Sequence, residues 1–307
     1  MSIRIESQIE ACHALWDQLS PRENLFDLWE FRLSFRDVYR FEPHFVVLER
    51  GGKAVGMLPL WYQPEQRQYL WFGDTGDGCN WQEGTTIWAQ TEEDVRSLLD
   101  ACLRPALLTS ISRTCYEQWH SLVHFDSGDP KSRLPLDHIH SVEEYLQSLP
   151  RKLRSNLRRD QRAIDALHPV MVRDDWSTFQ DLLRLNTAKF EDSPFHDPRT
   201  VQVFERLIRP EHPVPYSVMI IAARIGEDIA AADLIFQYNG VAYPILCGSD
   251  TRRFPGIGNF MTLVDIQDAL QCSCSAVDFA EYEGENNYKS KLFPSVPQYL
   301  LALPMPS

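Results

Sequence analysis

The residues best suited to chemistry by type and spacing are Arg253-Phe254-Pro255-Gly256-Ile257-Gly258, which put a cation and two glycines at the mouth of a helix. A helix start offers unpaired backbone N–H groups and a partial positive charge, and glycine lets the backbone approach an anion closely. The arrangement suits a phosphate or pyrophosphate, with Arg252 and Asn259 at its flanks. Asp233 is a second candidate, because IAAADLIF is otherwise apolar and a carboxylate there must be paired, exposed on one face or functional. A third group is Asp278 and Glu281, followed by Tyr288 and Lys289; the lysine reads equally as an anion contact and as a salt bridge to a neighbouring glutamate. Finally, Arg151, Lys152, Arg154, Arg158, Arg159 and Arg162 fall within twelve residues, with Arg151, Arg154, Arg158 and Arg162 along one helical face. That face is either a solvated connecting helix or a polyanion contact.

Composition narrows these readings. The chain has 307 residues, 44% hydrophobic and 24% charged, which describes a globular protein with room for two domains. A net charge of -13 argues against non-specific nucleic-acid binding by the whole surface, so a polyanion contact would have to be local. Seven scattered cysteines suit reduced thiols, and Cys272 and Cys274 form a lone CxC without the four converging ligands that zinc needs. No metal site is expected. The histidines show no HxxxH or HxH spacing, and no serine or cysteine nucleophile motif stands out. Trp61, Trp71, Trp81, Trp88 and Trp119 read as core or cleft wall more readily than as a base-stacking platform. With no apolar run of membrane-spanning length and no leader pattern at the N-terminus, the expected location is cytoplasmic, without membrane insertion.

The elements that must position these residues follow from periodicity. A short strand at Ile3 to Ile5 precedes helices over residues 8 to 19 and 25 to 38. HFVVLER, KAVGMLPLW and RQYLWFG then read as three antiparallel strands joined by short turns. A glycine and acid loop, Gly73 to Gly78, comes next, and Thr91 caps a helix from about Glu92 to Leu103. From Leu122 to Asp137 the pattern is extended. Ser141-Val142-Glu143-Glu144 is a capping box, and Pro150 should break that helix before the arginine-rich one.

The second half repeats this order. A strand at Val170 to Arg173 leads to helices near Ser177 to Phe190 and Pro198 to Ile208, and then to a meander of SVMIIAAR, IAAADLIFQ and VAYPILCG with an Asn239-Gly240 hairpin. The loop with Arg253, an amphipathic helix, a strand at Ala276 to Ala280 and a last strand, PQYLLAL, complete it. The expected fold class is α/β (α+β): two tandem domains, 1–140 and 141–307, each a mixed, mainly antiparallel sheet flanked by helices.

This order, with RxxGxG after the fourth strand of the second half, resembles the GNAT acyltransferases, and Arg253, Gly256 and Gly258 meet the motif. The whole chain further resembles the double-GNAT proteins of the CelD and Fem types. PRKLRSNLRRDQR opens the second half, and Asp278, Phe279, Gly284, Tyr288 and Lys289 stand where that family has fDfg.G...YK. The usual glycine after the DF pair is replaced by Ala280-Glu281, and Glu283 and Glu285 add further acids. The resemblance implies an acyl donor carried by coenzyme A, or an aminoacyl group carried by tRNA in the Fem branch, delivered to an amine or hydroxyl.

In such a fold the fourth and fifth strands splay apart. The resemblance then assigns Tyr243 to Cys247, including Ile245 and Leu246, to the donor's amide-bearing arm, and Arg252, Arg253, Phe254, Pro255, Gly256, Ile257, Gly258 and Asn259 to its phosphates. The first half carries Asp74 and Asp77 where the second has Arg252 and Arg253, and acids repel a pyrophosphate. One donor site per chain is expected, with the first domain, through Asp74, Asp77 and Trp81, shaping an acceptor cleft between the halves. Amine acylation needs a proton acceptor and a donor for the leaving thiolate. Asp233, Asp278, Glu281 and Tyr288 are the candidates, each also open to a structural role, and Lys289 could touch an anionic acceptor. Three functions remain open: an acyl-coenzyme A dependent transferase acting on a small or sugar-linked acceptor, an aminoacyl-tRNA dependent transferase, and a non-catalytic binding protein that keeps the fold.

Overall fold

A computed structural model describes residues 1–76, 81–282 and 288–305; Asp77, Glu283, Gly284 and Glu285 lie outside the described residues. In chain order the first half forms β1 (Ser2–Glu6), α1 (Ile9–Leu19), α2 (Trp29–Tyr39), β2 (Glu42–Arg50), β3 (Lys53–Gln63) and β4 (Gln68–Trp71). It continues with α3 (Glu92–Asp100), β5 (Ala106–Ser112), α4 (Arg113–Trp119), β6 (Asp126–Ser127) and β7 (Lys131–Pro135). The second half forms α5 (Val142–Ser148), α6 (Arg151–Asp165), β8 (Val170–Arg173), α7 (Phe179–Lys189), α8 (Pro198–Ile208), β9 (Ser217–Ile225) and β10 (Asp228–Tyr238). It ends with β11 (Val241–Ser249), α9 (Ile257–Gln271), β12 (Ala276–Glu281), α10 (Lys289–Leu292), β13 (Ser295–Val296) and β14 (Gln298–Leu303).

Two seven-stranded sheets result, in the orders β1-β2-β3-β4-β5-β14-β6 and β8-β9-β10-β11-β12-β7-β13. The orders correspond strand for strand, with one exchange: β14, from the end of the chain, pairs with β5, while β7, from the first half, pairs with β12. The chain accordingly divides into two compact units, Met1–Pro130 with Val201–His212 and Val296–Ser307, and Lys131–Thr200 with Pro213–Ser295. PQYLLAL, expected to close the second sheet, belongs to the first. A strand's alternation states which face is apolar but not which sheet edge accepts it, so the exchange leaves no mark in periodicity. Strand β5 and helix α4 also went unforeseen, because ALLTSIS alternates only weakly.

Local signals explain most boundaries. The β10–β11 hairpin turns at Asn239 and Gly240, both with positive φ (47° and 69°), as a type I′ connection demands. Thr91 caps α3 by accepting a hydrogen bond from the Asp94 N–H at 3.2 Å, and Ser141 caps α5 through the Glu144 N–H at 3.2 Å. Helix α5 ends at Ser148 and α6 begins at Arg151, with Pro150 at the break. In the first unit Trp16 is the centre of an aromatic core with Trp29, Phe45, Phe72 and Trp88. In the second, α6 and α9 cover a face of the sheet through Leu157, Ile164, Ile257, Met261 and Ile266. Helix α7 packs against β11 and β10. Its approach is close: a Cβ on Gly248 would meet the Leu182 carbonyl oxygen at 2.8 Å. The central strand β10 is therefore buried over Ile229–Phe236 and can afford the small Ala230-Ala231-Ala232 run between its helices. No helix among the described residues is long and apolar enough to cross a membrane.

Candidate active site

Strands β11 and β12 run parallel and pair only at Val241–Ala276 and Ala242–Val277 among the described residues. Beyond that point β11 continues against β10 alone, with Tyr243 opposite Phe236, Leu246 opposite Leu234 and Cys247 opposite Asp233. A register shift between Leu234 and Ile235 leaves Ile245 as an extra residue, a bulge that bends the strand. Strand β12 turns instead to β7, with its own shift between Asp278 and Glu281. The sheet therefore opens into a V between the residues assigned to a donor arm and those of β12.

At the far end of β11 the chain enters a tight loop. The Phe254 N–H donates to the Asp250 carbonyl at 2.9 Å, and the Arg253 N–H to Asp250 Oδ1 at 3.0 Å. Gly256 takes a left-handed conformation (φ 93°) immediately before α9, and Phe254 and Ile257 anchor the loop in the core. The first-turn N–H groups of Gly258 and Asn259 precede any intrahelical acceptor, an arrangement of the kind that favours an anion. Arg252 and Arg253 are exposed; Arg253 pairs with Asp228 at 2.6 Å and lies over the Phe254 ring. Asp160 of α6 packs against Gly256 and accepts from Asn259 Nδ2 at 2.7 Å, while pairing with Arg159 at 2.8 Å. This acid at the helix start complements the dipole and orients the Asn259 side chain.

Asp233 is 4% exposed and lies opposite Cys247 in the β10–β11 register, where the Cys247 thiol donates to the Pro244 carbonyl at 3.8 Å. Burial pushes the Asp233 carboxyl up to about 7, against the opposing influence of Cys247, Lys189 and Asp265. Asp265, on the sheet-facing side of α9, is held well above the carboxylate range by burial and by Asp233 and Asp268. Cys247 is exposed, yet burial among its neighbours, with Asp233 and Asp265, pushes its thiol up. Tyr288 is similar: its ring is 55% exposed while burial, then Cys247, Asp233 and Asp265, raise its phenol. Asn186 donates to the Cys247 carbonyl at 2.8 Å and Lys189 to Ser249 Oγ at 2.9 Å, which fixes this part of β11 from the α7 side.

The other expected residues are placed differently. Asp278 is 2% exposed and pairs with Lys131 at 2.7 Å across β12 and β7, so it is committed to holding the strand exchange. Lys289 donates to the Phe279 and Glu281 carbonyls at 2.6 and 3.1 Å, bracing the end of β12. Glu281 is half-buried and in register with Lys131. Ala280 adopts φ 62°, the left-handed backbone for which glycine is suited, at the place where the family pattern has glycine. Ala280→Gly is therefore expected to raise stability by about 0.5–1 kcal/mol, the relief of backbone strain outweighing the added freedom of the unfolded chain. A lowered melting temperature would show instead that the Ala280 methyl is needed for packing.

Asp74 and Trp81 lie in the first unit. Asp74 accepts from Thr109 Oγ1 and the Gly76 N–H, both at 2.9 Å, and Trp81 packs edge-on to Phe204. There the gap between β4 and β5, which pair at Tyr69–Ala106, is filled by the chain itself. Thr85 bridges to Ile111, its N–H donating to the Ser110 carbonyl at 2.9 Å and its carbonyl accepting from Ser112 at 2.8 Å. Gln82 and Glu83 are buried beside it. The acid at Asp74 is thus one difference between the halves, and the plugged strand edge is a second that residue types did not disclose. Asp265 and Lys131 were also missed. Asp265 carried the same signal as Asp233, an acid inside an apolar stretch, FMTLVDIQDAL; Lys131 carried none.

The arginine face of α6 forms a separate surface. Arg151, Arg154, Ser155, Arg158, Gln161 and Arg162 line a depression of about 530 Å³, with Arg158 also paired to Glu143. Asp160, which meets α9, lies on the opposite side of the helix at 100° per residue. The stripe therefore faces away from the loop.

Residues 151–290 match the family model described as acetyltransferase (GNAT) domain. Among solved structures, FemX is similar with a TM-score of 0.62 at 10% identity, over 99% of this chain and 98% of that one. L-PGS from Bacillus licheniformis is similar with a TM-score of 0.60 at 12% identity, over 100% and 95%. A tandem GNAT protein from the clavulanic acid biosynthesis pathway follows at 0.53 and 11%, over 98% of each chain. At these identities the likeness is one of fold. No curated protein matches the sequence.

Proposed function

This chain carries a GNAT acetyltransferase domain in a tandem, Fem-like fold, and on that premise we propose that it transfers an acyl group from an acyl-coenzyme A to the amine, or the hydroxyl, of a small or sugar-linked acceptor. The observation that carries the reading is the V between β11 and β12 of the second unit, which opens on a loop with a helix N-terminus and two arginines. The donor's amides extend the free edge of β11 from Tyr243 to Cys247. Its pyrophosphate takes the Gly258 and Asn259 N–H groups, with Arg252 and Arg253 as counter-charges. The thioester carbonyl then comes to the bulge, beside Cys247 and Asp233.

In the reaction the acceptor nitrogen attacks the thioester carbon, the C–S bond breaks, and coenzyme A leaves as the thiol. In this reading Asp233 takes the N–H proton and Tyr288 protonates the leaving sulfur. Asp233 then returns its proton to solvent and Tyr288 regains one, so none is left on the protein. The free thiols among the described cysteines fit a cytoplasmic location.

Calorimetric titration with acetyl-coenzyme A tests the donor. Arg253→Glu, which replaces a counter-charge by a repulsive one, should weaken binding by roughly an order of magnitude. No binding of any coenzyme A thioester, or binding unchanged by the variant, would sink the reading.

A second reading, an aminoacyl-tRNA donor, is favoured by the arginine-lined depression on α6. It requires salt-sensitive tRNA binding that charge reversal at Arg154 and Arg158 weakens, with Arg253→Glu without effect. A non-catalytic protein that merely keeps the fold would yield no acylated product from any donor.

A further inference from the structure

Arg253, one of the two loop arginines, already holds an anion of its own chain: its Nη2 donates to Asp228 Oδ2 at 2.6 Å. Two backbone turns present the pair. Asp228 opens β10 just after the turn at Gly226, whose φ is 63°, and stands in register with Ile225 of β9. The Asp250 N–H donates to the Ala230 carbonyl at 2.9 Å, which docks the start of the loop beside that end of β10. Within the loop the Arg253 N–H is tied to Asp250 Oδ1, and the guanidinium lies 5.2 Å from the centre of the Phe254 ring. Asp250 is therefore occupied with the backbone, and Asp228 is the acid that meets the arginine's charge. The pair is open to water, with the arginine 59% and the aspartate 52% exposed at the side chain. An ion pair of this kind is weak and exchanges readily. Arg252, next in the chain, makes no ion pair among the described residues.

We propose that Asp228 is an internal competitor for Arg253: it occupies the guanidinium in the donor-free protein and is displaced when the donor's phosphates arrive. The proposal rests on the acyl-coenzyme A reading for the identity of that ligand. Both edges by which a guanidinium grips a phosphate in bidentate fashion include Nη2, the nitrogen that Asp228 holds, so a phosphate on Arg253 comes within reach of the carboxylate. Two anions there repel, and the singly charged carboxylate gives way to the pyrophosphate. Arg252 has no acid to release and binds without exchange. The use of the device is in release. Acetyl-coenzyme A and coenzyme A carry the same phosphates, so Asp228 weakens both equally, leaves the chemical step untouched and recaptures Arg253 as the freed coenzyme A departs.

Calorimetric titration at low salt, where surface charges are least screened, tests the exchange with acetyl-coenzyme A and, separately, with inorganic pyrophosphate. Asp228→Ala should tighten binding of both ligands by about three- to fivefold. The gain should persist in an Arg252→Ala background and vanish in an Arg253→Ala background, where there is no guanidinium to release. Both backgrounds keep the Gly258 and Asn259 N–H groups, so binding stays measurable. The proposal is overturned if Asp228→Ala leaves the affinity unchanged or weakens it, since Asp228 would then be a bystander or a support for Arg253. It is equally overturned if the gain survives in Arg253→Ala, which would make it a general effect of surface charge. Pyrophosphate binding with this pattern, but no binding of any coenzyme A thioester, would sink the donor reading and uphold the exchange. Acetyl-coenzyme A binding without the pattern would do the reverse, and no binding of either ligand would overturn both.

Discussion

Lys131→Met is expected to lower the melting temperature of the second unit by roughly 10 °C, from a loss of about 3–5 kcal/mol. The Lys131 ammonium and the Asp278 carboxylate are 9% and 1% exposed at the side chain and meet at 2.7 Å, so removing the lysine strands a charge between β7 and β12. The pair's net worth is smaller than this cost, because both charges gave up hydration to form it. Lys131→Met combined with Asp278→Leu should consequently recover most of the loss, and thermal unfolding of the single and double variants reads the difference. A single variant as stable as the parent would mean that β7 does not depend on the ion pair for its place in the sheet. The effect bears on function because β12 is one wall of the V and β7 holds it away from β11.

Gly256→Ala should cost about 2–5 kcal/mol, combining a strained backbone with an overpacked contact. Its φ of 93° is open to glycine, and a Cβ there would lie 2.8 Å from the Asp160 Cβ. The helix start would shift, moving the Gly258 and Asn259 N–H groups, so acetyl-coenzyme A affinity should fall with stability. Adding Asp160→Gly relieves the contact but not the dihedral, and should restore only part of the loss in a urea titration. If Gly256→Ala alone stays within about 0.5 kcal/mol of the parent, neither constraint operates.

The loop around Gly256 was legible in residue types because its chemistry is local. A cation, a glycine before the helix and a helix N-terminus occupy consecutive positions, and an Asn-Gly hairpin upstream sets the strand that leads to them. Asp233 was legible as an anomaly, an acid in an apolar strand, but its meaning was not. Asp265 lies 32 positions further along, and only the packing of α9 on β10 brings the two carboxyls together. The same holds for Asp278, which stood out in a motif and is paired with Lys131, and for Lys289, which donates to the Phe279 and Glu281 carbonyls.

By itself the sequence determined the repeated order of elements, the class of fold and the glycine loop that opens α9, since each rests on period, turn chemistry and helix-end preferences within a short span. The tertiary structure alone decided three things. It sent β14 into the first sheet and β7 into the second, because edge pairing is chosen by backbone hydrogen bonds that every residue type offers equally. It plugged the first strand gap with Thr85 and left the second open. It also buried Asp233 of β10 and Asp265 of α9 near enough that Asp233 holds the Asp265 carboxyl up.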